Sequence, residues 1–241
     1  MQYALIGDIH GNVDALTAVL DAIDGFVPDA IYCLGDIVGY GAAPLECIEI
    51  TRSREIPSVA GNHDWAATGD ISMEYFNPIA RASAEWTRSV LTPDAVSYLR
   101  ELPVQVVTNG MLLTHGSPHN PAAFEYVLTV EQAIAALTGM EETVGFTAHS
   151  HIPLTFSLDK NRLSLSVEPQ FQVEDGVHAL VNVGSVGQPR DNDPRAAFVL
   201  YDTETRRAEI RRVPYDIEAA ARKIMDARLP DENADRLYAG A

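Results

Sequence analysis

Gln2-Tyr3-Ala4-Leu5-Ile6-Gly7-Asp8-Ile9-His10-Gly11-Asn12 joins a short apolar run to an acid and an imidazole set among glycines. The run reads as a strand, and the glycines let backbone approach closely. Val13, Leu16, Val19, Leu20 and Ile23 then recur at spacings of three and four, which makes the next segment an amphipathic helix. Strand, polar turn and helix in that order build an open α/β sheet, whose ligands gather at the carboxyl ends of its strands.

The unit repeats. Ala30 to Leu34 is strand-like and ends in Gly35-Asp36-Ile37-Val38-Gly39-Tyr40-Gly41, after which Pro44 suits the first position of a helix. Ile56 to Ala60 reads as a third strand, ending in Gly61-Asn62-His63-Asp64. Pro78 suits another helix start, with Ile79, Ala82, Trp86 and Val90 on one stripe, and Thr92-Pro93 restarts a helix toward Leu99. Val104 to Val107 and Met111 to Thr114 flank Asn109-Gly110, a strong hairpin signal, and the second of them runs into His115-Gly116. Thr129 can cap a helix through Leu137, and Thr143 to Thr147 leads to Ala148-His149-Ser150-His151.

From Leu154 onward strands follow one another: Leu154 to Leu158, Leu163 to Val167, Ala179 to Val183, Ala197 to Tyr201 and Ala208 to Arg212. A β-meander is the simplest reading. Asp216 can cap a last helix through Ala227, and the tail after Pro230 is expected to be loose. Units of strand and helix followed by a run of strands predict two sheets packed on each other with helices outside, in one domain over residues 1–241.

The composition narrows the function. Thirty-four acidic against 17 basic residues give a formal charge of -17, which disfavours long nucleic acid and anionic membranes as partners. A phosphorylated substrate would need local positive charge, and metal ions are the obvious supply. Cys33 and Cys47 fit no thiolate metal site and read as buried thiols of a reducing compartment. The N-terminus lacks the basic flank of a signal peptide, so a cytoplasmic protein is expected.

Five strand ends thus deliver Asp8 and His10, Asp36, Asn62 and His63, His115, and His149 and His151. Side chains alternate in an extended chain, so Asp8 and His10, and likewise His149 and His151, are expected on one face. A carboxylate such as Asp36 has two oxygens and can bridge two metals. Each motif has an ordinary explanation alone, as a cap or a turn, but their alignment at equivalent strand ends does not.

This ordered set, Gly-Asp-x-His-Gly at Gly7 to Gly11, Gly-Asp-x-x-Gly at Gly35 to Gly39, Gly-Asn-His-Asp at Gly61 to Asp64, His-Gly at His115 and His-x-His at His149 to His151, resembles the calcineurin-like metallophosphoesterase superfamily. It is similar to the compact bacterial phosphodiesterase-like branch, whose late loop Asn182 to Arg190 resembles. The resemblance implies a four-layer α/β/β/α sandwich of two mixed β-sheets flanked by helices. It implies that Asp8, His10, Asp36 and His151 hold one metal, that Asp36, Asn62, His115 and His149 hold a second, and that His63 is a non-ligand imidazole above them. Gly39-Tyr40 stands where the protein-phosphatase branch has Asp-Arg, so a partner for His63 and a phosphate-gripping Arg are both missing, and a phosphoprotein substrate is disfavoured. Ala148 replaces the glycine usual before the His-x-His pair.

A donor set of His, carboxylate and amide suits Mn, Fe, Zn or Ni, and Mg less well. The expected reaction is hydrolysis of a phosphate ester, a diester rather than a monoester, by in-line attack of a hydroxide bridging two metal ions, with His63 as general acid. The substrate is expected to be small, with a nucleotide among the options. A non-catalytic scaffold for protein interaction and a phosphomonoesterase or nucleotide phosphatase are the competing readings. Arg190 is a candidate phosphate-binding residue, with an ion pair to Asp191 or Asp193 as the ordinary alternative. Trp65, Tyr75, Phe76, Phe124 and Tyr126 read as anchors of their loops rather than base-stacking groups.

Overall fold

Alternation along Gln2–Ile6 (β1) assigns each side chain to a layer in the computed structural model, which describes residues 1–241. Ala4 and Ile6 pack toward helix Val13–Asp24 (α1), while Tyr3 and Leu5 meet Leu113, Phe146 and Val181 of a second sheet. Asn12 starts α1 by accepting the Ala15 N–H at 3.1 Å.

The remaining strands are Ala30–Cys33 (β2), Gln105–Thr108 (β3), Met111–Thr114 (β4), Val144–Thr147 (β5), Leu154–Asp159 (β6), Arg162–Ser166 (β7), Gln170–Gln172 (β8), Val177–Asn182 (β9), Ala196–Asp202 (β10) and Arg207–Val213 (β11). The first sheet has the order β2-β1-β10-β11-β8, the second β3-β4-β5-β9-β6-β7. Both sheets are mixed. β1 and β2 run parallel in the first, as do β4, β5 and β9 in the second, and antiparallel strands complete each.

Helices Pro44–Ser53 (α2), Asn62–Thr68 (α3), Pro78–Val90 (α4) and Pro93–Glu101 (α5) follow the early strands, and three of the four begin on a proline, whose missing N–H costs nothing there. Val130–Thr138 (α6) covers the outer face of the second sheet through Ala133, Ala136 and Leu137. Thr129 caps it, as its sequence predicts. Helices, two sheets and a helix give the four-layer α/β/β/α arrangement.

Three expectations need correction. Ile56 to Ala60 is not a strand: Pro57 lacks an N–H, and its pairing with β2 shrinks to a single bridge between Cys33 and Ser58. The second half is not a simple meander, because β6, β7 and β9 join the second sheet while β8, β10 and β11 join the first. Nor is the tail loose. After Ile217–Asp226 (α7), capped by Asp216, the chain forms Asp231–Ala239 (α8), whose Ala234 and Leu237 bury against α7 residues Ala220, Ala221 and Ile224. The i, i+3 pair is short, so a stripe that needs α7 to complete it is faint in the sequence alone.

Candidate metal centre

The chain reaches the centre through turns, not through strand alternation. Asp8, His10, Asp36, His149 and His151 all take positive φ, between 50° and 68°. The left-handed turns that follow β1, β2 and β5 fold Asp8 toward His10, and His149 toward His151. The side chains converge as expected, for a different reason.

Three buried groups of potential ligand atoms result, each with its atoms within 4.8 Å of one another: Asp8, His10 and His151; Asp36, His115 and His149; and His10, Asp36 and His63. The first two each bring together three of the four residues in the sets that the resemblance implies. Asn62, in the first turn of α3, places its Oδ1 3.2 Å from His115 Nε2 and so belongs beside the second group. His10 Nε2 and His151 Nε2 stand 3.0 Å apart, and His115 Nε2 and His149 Nδ1 3.1 Å.

Backbone carbonyls set the imidazole orientations. His10 Nδ1 lies 3.1 Å from the Val38 carbonyl, His115 Nδ1 2.7 Å from that of Leu34 and His151 Nδ1 2.6 Å from that of Gln188. A proton on each Nδ1 satisfies the carbonyl and leaves Nε2 as a lone pair facing the centre, the usual arrangement around a ligated histidine. The carboxylates are also split between two tasks. Asp8 Oδ2 accepts the His149 N–H at 2.9 Å and Asp36 Oδ1 the His63 N–H at 2.8 Å, while Asp8 Oδ1 and Asp36 Oδ2 are buried with no hydrogen-bond partner. Asp36 Oδ2 lies 3.6 Å from His10 Nε2 and 3.2 Å from His115 Nε2, so one oxygen, not both, faces the two groups.

Two unpartnered buried carboxylate oxygens surrounded by imidazole lone pairs fit divalent cations better than any internal hydrogen-bond scheme. Without a cation, burial lifts the Asp8 carboxyl to about 8. Burial also opposes charge on His115, but the Asp36 carboxylate prevails and raises it to about 9. His10, His149 and His151 are held neutral, chiefly by burial.

His63 is within ligand distance of His10 and Asp36, so proximity alone does not set it apart. Its ring differs from those of His10, His115 and His151 in having no backbone carbonyl at Nδ1. The ring lies between Tyr40, at 4.5 Å, and Phe76, at 5.1 Å, and borders an open cleft. Nδ1 has no partner, so no side chain orients His63 by a hydrogen bond. Gly39 makes the fit possible: at φ 102°, a Cβ there would come within 2.6 Å of His63 Nδ1. Burial holds the imidazole down at about 4.

Asp64 makes no hydrogen bond to the His63 side chain. Its Oδ2 accepts the N–H groups of Gly61 and Asp36, each at 2.9 Å, and its Oδ1 accepts that of Val38 at 3.2 Å. Asp64 therefore caps α3 and clamps the loop that carries Asp36. Its place three residues into the helix is a capping signal, but the tie to Asp36 and Val38 has no trace in local sequence.

The loop from β9 supports the other side. Ser185 Oγ donates to the Asp8 carbonyl at 2.9 Å, Asn12 Nδ2 to that of Gly187 at 2.9 Å, and the Gln188 carbonyl holds His151. Arg190 pairs with neither nearby acid; Asp191 bonds Arg212 and Asp193 bonds Arg195. Its guanidinium instead donates to Gln188 Oε1 at 2.8 Å and lies 5.4 Å over the Tyr40 ring. Trp65 lies in α3 rather than in a loop, and packs edge to face at 5.2 Å on Phe124, which anchors its own loop as expected. Tyr126 departs from that reading by stacking on His149 at 3.9 Å and 17°, and Tyr75 departs further, being 92% exposed.

A sequence model described as the calcineurin-like phosphoesterase superfamily domain matches residues 1–206. An uncharacterized protein of Methanocaldococcus jannaschii is 37% identical over 241 residues, covering 98% of this chain and 97% of its own. The crystal structure of a metallophosphoesterase from Sphaerobacter thermophilus superposes with a TM-score of 0.88 at 36% identity, covering 100% of this chain and 99% of that one. A symmetrical bis(5'-nucleosyl)-tetraphosphatase of Methylobacillus flagellatus is 27% identical over 153 residues, 61% of this chain and 54% of that protein, so the similarity spans about half the length of that relative. The chain belongs to the calcineurin-like phosphoesterase superfamily.

Proposed function

We propose that this protein is a phosphodiesterase that works with two divalent metal ions. The observation that carries the reading is the pair of buried ligand groups, Asp8-His10-His151 and Asp36-His115-His149, joined by an Asp36 oxygen that faces both. Asp8, His10, Asp36 and His151 would hold one ion and Asp36, Asn62, His115 and His149 the other, with Mn, Fe, Zn or Ni suiting the donors. Such ions supply the positive charge that ionises water near neutral pH and offsets phosphoryl oxygens, which a chain of formal charge -17 otherwise lacks.

The protein's own groups do the rest. Arg190 has no carboxylate partner and can grip a phosphoryl oxygen. His63 borders the cleft and can pass a proton to the departing oxygen, a role worth about a hundredfold to ten-thousandfold. An anionic diester beside His63 favours its protonated form against the burial that lowers it in the free protein. Tyr40 and Phe76 keep the ring in place.

The substrate is small and phosphorylated, and the tetraphosphatase relative supports a nucleotide. Free, buried Cys33 and Cys47 favour a reducing, cytoplasmic setting, and no helix is long and apolar enough to cross a membrane. The test is hydrolysis of bis(p-nitrophenyl) phosphate and p-nitrophenyl phosphate by metal-loaded protein. The diester is expected to be the better substrate, and His63→Ala to lower turnover at least about a hundredfold with metal content retained. Turnover unmoved by that substitution removes His63 from the mechanism.

A further inference from the structure

A cleft of about 490 Å³ shares Asn62, His63 and His149 with the metal centre. That volume falls in the range of sites that enclose a ligand the size of a nucleoside, and it exceeds what a small alcohol needs. No Asp, Glu, Lys or Arg lines it; beyond the shared residues its walls are mainly Tyr40, Tyr75, Phe76, Phe124 and Tyr126, with Ile71, Asn77 and small residues between them. An uncharged group with flat rings suits these surfaces. Tyr75 is 92% exposed, so packing within the protein does not explain a large ring at this edge.

The charge nearest the cleft is that of Arg190, which sits over Tyr40, a residue of the cleft wall, with its backbone N–H donating to the His151 carbonyl at 3.2 Å. A phosphoryl group gripped there lies beside His63, which delivers the proton under the function proposed above and borders the same cleft. The group that occupies the cleft is then the alcohol that leaves.

We infer that the substrate is a phosphodiester whose leaving alcohol is a nucleoside, its base held against Tyr75 and Tyr126 in this cleft. In the step, water oxygen bonds to phosphorus and the bond from phosphorus to the nucleoside oxygen breaks. The nucleoside oxygen takes a proton from the His63 side, and the products are a free nucleoside and a phosphomonoester of the other alcohol. This rests on the phosphodiesterase reading and adds the direction of cleavage.

The test uses the methyl diester of adenosine 5'-phosphate, whose two alcohols are similar as leaving groups. Adenosine and methyl phosphate are the expected products; adenosine monophosphate and methanol overturn the inference. Binding supplies a readout independent of turnover. Adenosine alone, followed by NMR, is expected to bind more tightly than ribose. Tyr75→Ala is expected to weaken it about fivefold or more, the low end for loss of a stacking partner, and Tyr75→Phe to restore it within about twofold. Adenosine binding no tighter than ribose, or equal in Tyr75→Ala, overturns the inference while leaving the enzyme intact. Failure to hydrolyse any phosphodiester overturns the enzyme reading and, with it, this one.

Discussion

Asp64→Ala and Asp64→Asn together measure how the clamp between the two loops holds the centre. Alanine leaves the N–H groups of Asp36, Val38 and Gly61 buried without an acceptor. Each costs about 1 to 3 kcal/mol, and removal of a negative charge beside Asp36 works the other way, so a net loss of about 2 to 4 kcal/mol is expected. Asparagine removes the same charge but keeps one oxygen, which can still accept from Asp36 and Gly61. The difference between the two variants, free of the charge term, therefore reports those two hydrogen bonds, about 2 to 6 kcal/mol, less what the new amide NH2 loses facing the Val38 N–H. Urea unfolding of metal-free protein reads it without stabilisation from bound ions. Alanine and asparagine variants of equal stability would refute the clamp. Intact stability with collapsed turnover would instead make Asp64 a partner of His63, which its geometry denies.

Other outcomes follow from the same geometry. Gly39→Ala should push His63 from its place, lowering turnover at least about tenfold while metal content, measured by elemental analysis, stays the same. Asn62→Ala should lower occupancy of the second ion, which His63→Ala should not; equal metal content in both would remove Asn62 from the ligands. Metal binding should release protons. Asp8, at about 8, and His115, at about 9, both carry a proton at pH 7 in the metal-free site and must lose it to ligate. Apparent affinity should accordingly rise as pH goes from 6 to 8 and flatten above about 9, and calorimetry in buffers of different ionisation enthalpy would count the protons. Cys33 and Cys47, buried and with thiols pushed up by that burial, should resist a thiol reagent until the protein unfolds.

The centre was legible in the sequence because its residues sit in short motifs, each just after an apolar run. Asp8, His10, Asp36, Asn62, His115, His149 and His151 come together as those motifs imply. What could not be read is what depends on distant backbone. The carbonyls of Leu34, Val38 and Gln188 that turn the imidazoles carry no side-chain signature, and neither does the reach of Asp64 back to Asp36. The split of the late strands between two sheets was equally hidden. β8 is three residues with exposed ends and β9 is buried along nearly all of its six, yet only their partners, β11 and β5, decide which sheet each joins. Proline exposed the limit of apolar runs as strand signals: Ile56 to Ala60 has the composition of a strand, and Pro57 removes the hydrogen bond it would need.

The most direct measurement is a titration of metal-free protein with Mn, recording bound ions by elemental analysis and hydrolysis of bis(p-nitrophenyl) phosphate on the same samples. Activity should rise with the second equivalent, and Asp36→Ala, which removes the shared oxygen, should abolish it. Full activity with one ion per chain, or two bound ions without hydrolysis of any phosphodiester, would contradict the two-ion phosphodiesterase reading.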